Sequence, residues 1–227
     1  MRFRLLLAAS VVCYLASVDA ALQNPRFDDR VRADFFAGMS GDAARFDRAM
    51  NTCEDALAAD PKNAPALVWH GAGLLVRSGI AFRAGRVDDG IALRARALSE
   101  MSDAIQMAPN DVQVLIPRAA IMVSSARFAP ADQSREMALT AAADYEKVLA
   151  LEAPYAGRLG THARGELLGG LATAYRLAGD SEKASAYLTR MSTELPGTPY
   201  DQKARKWLAD LRAVPREDHF CLGCHVP

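Results

Sequence analysis

Four proline-bearing loops divide most of this chain: Pro61, Pro109, Pro154 and Pro196 lie 48, 45 and 42 residues apart. Each follows a stretch whose apolar residues return every three or four positions, the spacing of one helical face. Proline stops such a stretch because it has no N–H to donate and its ring clashes with the preceding turn. No segment alternates with period two for long, which leaves no place for strands. The expected fold class is all-α, and a recurrence of this kind suggests stacked helical hairpins.

Residues 21–29 read as an extended polar arm, and a helix begins near Val31 with Phe35 and Phe36 on one side. Asp42 can cap the next helix, whose face is Phe46, Ala49, Cys53, Ala56 and Leu57. From Ala64 a helix runs to about Phe82, and its Gly71-Ala72-Gly73 invites a close neighbour. Beyond Gly85 comes a long helix with Ile91, Ala95, Leu98, Met101, Ile105 and Ala108 aligned. Pro117 predicts a late start or a kink in the helix over 112–123, and Pro130 suits a first helical position. Tyr145 and Val148 mark the helix that ends at Pro154. Leu168, Leu171 and Tyr175 mark the next, Asp180 caps its successor, and Thr198-Pro199 opens a last helix running to about Leu211.

Within this pattern, Leu168-x-x-Leu171-Ala172-x-x-Tyr175, followed by Gly179-Asp180, Ala184, Leu188 and Pro196, resembles the tetratricopeptide (TPR) repeat family. Leu67-x-x-His70-Gly71-x-x-Leu74 is a second such match, and Cys53 to Leu57 and Tyr145 to Leu149 are similar to its second helix. The resemblance implies a right-handed α-solenoid of helical hairpins with a concave face for a peptide or partner protein. The family unit has 34 residues, so these spacings imply 8 to 14 more each, as elongated helices or inserted turns around 75–96 and 124–140. Leu67 and Leu168 stand where the family has Trp. The organisation expected is a signal peptide over 1–20, an arm and first helix over 21–40, TPR-like repeats over 41–198, a capping helix over 199–213 and a tail over 214–227.

The first twenty residues carry Arg2 and Arg4, an apolar run of 13 residues from Leu5 to Ser17, and Val18-Asp19-Ala20. That order fits a secretory signal peptide cut after Ala20 and is too short to span a bilayer comfortably, so no transmembrane span is expected after cleavage. Cys13 follows Val12 and does not read as a lipoprotein anchor. The balance of 27 basic and 27 acidic groups argues against a general nucleic-acid surface, which needs a basic excess. After removal of the leader three cysteines remain, an odd number and a poor disulfide framework. Cys53 lies in a helical pattern, where a buried, inert thiol is expected.

The chemistry lies at the end: Phe220-Cys221-Leu222-Gly223-Cys224-His225-Val226-Pro227. Cys-x-x-Cys-His is the attachment motif of c-type haem. Two sulfurs three residues apart can reach the two vinyl groups of one porphyrin edge, and the adjacent imidazole can swing beneath the iron. On this reading Cys221 and Cys224 form thioethers to one covalent haem c and His225 is the proximal iron ligand. His162 is the first choice for the second ligand, ahead of His70, His219 and the methionines. An open position would favour binding of small ligands. Basic side chains near the tail, Arg212 and Arg216 among them, suit haem propionates. Zinc and a redox-active thiol pair are the other chemistries the spacing permits, although zinc lacks a clear fourth ligand even with His219 near.

Haem c implies export, usually to the periplasm of a Gram-negative bacterium. The function expected is a periplasmic haem protein that transfers electrons or docks as a subunit of a redox complex, its partner another periplasmic protein. The alternative is a non-enzymatic interaction scaffold whose tail binds metal or a partner. No phosphate loop, His-Glu-x-x-His or Ser–His–Asp set is present, so an enzyme is the less supported reading.

Overall fold

The computed structural model describes residues 26–154, 160–216 and 218, and every long regular element among them is an α-helix. These are α1 (Phe27–Met39), α2 (Ala43–Ala59), α3 (Ala64–Arg83), α4 (Val87–Met107) and α5 (Val112–Ala126), then α6 (Ala131–Glu152), α7 (Thr161–Ala178), α8 (Ser181–Glu194) and α9 (Pro199–Ala209). Short polar side chains start many of them. Asp42, Asn63, Asp111 and Asp180 accept from backbone N–H groups at 2.8–3.0 Å, and Thr198 does so at 3.2 Å. α7 ends at Gly179, whose φ of 84° lies in the left-handed region that glycine enters without a Cβ penalty.

Helices pack as consecutive pairs, α1 with α2, α3 with α4, α5 with α6 and α7 with α8, and α9 lies against α8. The first members of the pairs also touch in order: α1 meets α3, α3 meets α5, and α5 meets α7. Burial follows this layering. α3 and α7 are covered around most of their circumference, whereas α4 and α8 bury one stripe and show the rest to solvent. The main core runs from Phe27 to Ala184, and a second cluster around Leu168, Leu188, Met191 and Trp207 seats α9. Each large side chain so covered contributes about 1.5–3 kcal/mol.

Close approach requires glycine at several places, two of which set how helices meet. A Cβ on Gly71 would lie 2.9 Å from the Cγ of Met101, so its absence lets α4 press onto α3. A Cβ on Gly170 would lie 2.7 Å from the ring of Tyr145, so α6 inserts its tyrosine against the bare backbone of α7. Overlaps of this size force real side chains to shift, which is why small residues sit at the tightest crossings.

Several expectations are corrected. The first helix begins at Phe27, inside the stretch read as an arm, because Phe27 and Val31 are both drawn into the core. α5 starts at Val112 and runs through Pro117, so the proline delays nothing. Pro130 precedes the first helical residue, and its carbonyl accepts the bond from Ser134 at 2.7 Å. The last helix stops at Ala209, short of Leu211. On α4 the buried stripe is Gly90, Ala97, Met101 and Ala104, while Ile91 is 56% exposed. The expected stripe is rotated because Phe82 lies against Gly90 and Met101 against Gly71.

Candidate functional site

Cys221, Cys224 and His225, together with His219, lie outside the described residues. The chain leading to them is described as far as Arg216 and again at Asp218, and it is held at several points. Trp207, 1% exposed, donates its indole N–H to Asp218 Oδ2 at 3.0 Å. Lys203 pairs with Asp218 Oδ1 at 2.7 Å. Arg176 on α7 lies 4.9 Å from the Trp207 ring centre and donates to the carbonyls of Val214 and Asp218 at 3.3 and 2.9 Å. Arg216 reaches back to the carbonyls of Ala126 and Ala129, at 2.9 and 3.1 Å. Cations over a buried indole and charge-assisted bonds to carbonyls make a firm attachment point. The motif therefore follows three residues after a fixed aspartate.

His162, the expected second iron ligand, stands exposed on the first turn of α7. Its Nδ1 lies 2.9 Å from the hydroxyl of Tyr200, which donates to Glu166 Oε1 at 2.7 Å. Tyr200 can lie on α7 because Gly165 has no side chain; a Cβ there would sit 2.5 Å from the ring. Burial raises the carboxyl of Glu166 above its ordinary value, against the Tyr200 bond and the nearby His162, which both lower it. The triple His162–Tyr200–Glu166 thus leads from the surface to a partly buried acid.

His70 is a core histidine. Its Nδ1 lies 2.5 Å from Glu100 Oε2 and its Nε2 3.6 Å from Glu54 Oε1. Burial opposes ionisation of Glu100, yet bonds from His70 and Arg96 outweigh it and hold the carboxyl below the usual range. Met50, Met101, Met122, Met137 and Met191 are also buried in the core, whereas Met107 is exposed. Among the described residues no group of three or more His, Cys, Asp or Glu could hold a metal ion. The Cys53 thiol is buried, and that burial pushes it up to about 12, which leaves it unreactive at neutral pH. Of the basic residues near the tail, Arg205 is engaged by Asp201. No described helix is long and apolar enough to cross a membrane.

Sequence reasoning missed a cavity of about 80 Å³ between α1, α3, α5 and α7. Phe35, Met39, Trp69, Ile121 and Tyr145 wall it, with Glu166 at one side. Periodicity places Phe35 and Tyr145 on helix faces but cannot show that the helices around them leave a gap. Compared with known proteins, the chain matches no family model, no curated protein and no solved structure.

Proposed function

We propose that this chain is an exported helical-repeat protein that carries one covalent haem c at its C-terminal end and serves in electron transfer, as a docking subunit of a periplasmic redox complex. The observation that carries the reading is Cys221-x-x-Cys224-His225 placed three residues beyond the anchored Asp218. Two thiols and an imidazole at this spacing are the donor set of haem attachment. The cavity of about 80 Å³ falls short of the roughly 300–1,000 Å³ of cofactor sites, so it cannot enclose a porphyrin. A haem held by Cys221, Cys224 and His225 would therefore lie outside that cavity, open to a redox partner. When bound, haem supplies one-electron transfer.

The protein's own part is to hold and orient. Trp207, Lys203 and Arg176 fix the chain before the motif. His162 is the proposed second ligand, and its Nδ1 contact with Tyr200 is of the kind that sets the tautomer of a ligating imidazole. A right-handed TPR-like solenoid is part of the proposal. It is supported by the pairing of consecutive helices and by the contacts of α1, α3, α5 and α7 in order.

The test is expression of the whole chain with a cytochrome c maturation system, followed by an absorption spectrum and intact mass. A red protein heavier by one haem is expected, with no thiol open to alkylation, since Cys53 is inert. Colourless protein with two reactive thiols overturns the haem reading and leaves the scaffold, its tail bound to metal or to a partner. An unchanged spectrum in His162→Ala removes His162 as the second ligand.

A further inference from the structure

The cavity between α1, α3, α5 and α7 holds polar groups that the described residues do not satisfy. Tyr145 is 8% exposed, lines the cavity, and its hydroxyl has no hydrogen-bond partner among the described residues. It reaches this position only because Gly170 has no side chain. Two other lining residues carry buried atoms without a partner, the indole N–H of Trp69 and Oε2 of Glu166. A buried polar atom left unbonded costs about 1–3 kcal/mol, and two of them stand around this one gap beside the Tyr145 hydroxyl. The remaining wall is almost wholly apolar and aromatic, and Ala120, which lines the cavity, is exposed and marks its mouth.

We propose that this cavity binds a small neutral molecule with a ring-sized apolar body and one hydroxyl. The ring lies among Phe35, Trp69 and Ile121; Tyr145 donates to the ligand's oxygen, and the ligand's hydroxyl donates to Glu166. The size of the gap limits the ligand to about one ring. The apolar wall disfavours any charged form, since a charge entering it loses hydration with too few partners in return. A carboxylate is opposed further by Glu166, which also meets its like charge. The inference stands on the described helices and is independent of what the tail binds.

Titration calorimetry of the full chain with 4-methylphenol tests it, with toluene and 4-methylbenzoate as comparisons. The expected result is saturable one-to-one binding of 4-methylphenol, about fivefold or more weaker binding of toluene, and none of 4-methylbenzoate. Tyr145→Phe, which removes a hydroxyl that bonds nothing in the free protein, is expected to fold normally and bind about fivefold more weakly. Ala120→Leu at the mouth is expected to abolish binding with an unchanged circular dichroism spectrum. Absence of saturable binding overturns the proposal, as does toluene binding equally well. Binding that emerges only when residues 219–227 are removed also overturns it, because the chain's own end would then be the occupant.

Discussion

The two tryptophans of this chain sit in opposite surroundings. Trp207 is enclosed, and its N–H has a partner in Asp218, with Arg176 and Lys203 over the ring. Trp69 is also buried, stacked on Phe35 at 5.0 Å, but its N–H bonds nothing. One indole completes its neighbourhood and fixes the approach to the tail. The other stands at the edge of a gap whose polar atoms the described residues leave unbonded. Satisfied and unsatisfied polar groups thus distinguish a structural anchor from a binding wall more sharply than burial does, since both rings are covered.

The comparison is open to direct attack. The largest effect is expected for Trp207→Ala: about 3–5 kcal/mol of stability lost in urea denaturation, since the fully buried ring joins α9 to α7. A loss below about 1 kcal/mol would mean that α9 is not seated as described. Gly170→Ala comes next, at about 1–3 kcal/mol by the same measurement, because a Cβ there meets the Tyr145 ring. The paired conservative changes follow. Trp207→Phe leaves Asp218 without its indole donor and is expected to cost about 1–2 kcal/mol, whereas Trp69→Phe removes an unbonded N–H and is expected to stay within about 1 kcal/mol of the parent. Equal costs would erase the distinction between the two sites.

The smallest effect concerns pH. Ser192 and the N–H of Gly197, helped by Arg205, hold Asp201 at about 2. The folded value lies below the unfolded one, so the contribution is fully present above the ordinary carboxylate value of about 4 and is lost as pH falls toward 2. Melting curves of the parent and Asp201→Asn should therefore converge between about pH 4 and pH 2. A constant gap across that range would show that Asp201 does not titrate as described.

Much of the fold was legible because its causes are local. Asp42, Asp180 and Thr198 cap where they stand in sequence, since a cap needs only a side chain and the N–H groups two or three residues on. The stripe on α4 is not legible in sequence, since Ile91 and Ala97 are similarly apolar and only the positions of α3 and α5 decide which is covered. Pro130 stands one position before the first helical residue, a difference of register that no local pattern fixes. His162 stood out as a histidine near the end of the chain, but its link through Tyr200 to Glu166 joins residues 34 to 38 apart and has no signature in either segment.

By itself the sequence determined the order of the described helices, the caps at Asp42, Asp180 and Thr198, and the presence of a terminal Cys-x-x-Cys-His, two residue types at fixed spacing. These depend on neighbours along the chain, where covalent geometry sets the distances. Only the tertiary structure decided that Tyr145 would lie on Gly170, that α1, α3, α5 and α7 would leave a gap, and that Trp207 and Arg176 would hold Asp218. Those outcomes depend on how separate helices fit, and a close-packed interior resolves such fits by contacts a few tenths of an ångström apart, which no pattern of apolar residues encodes.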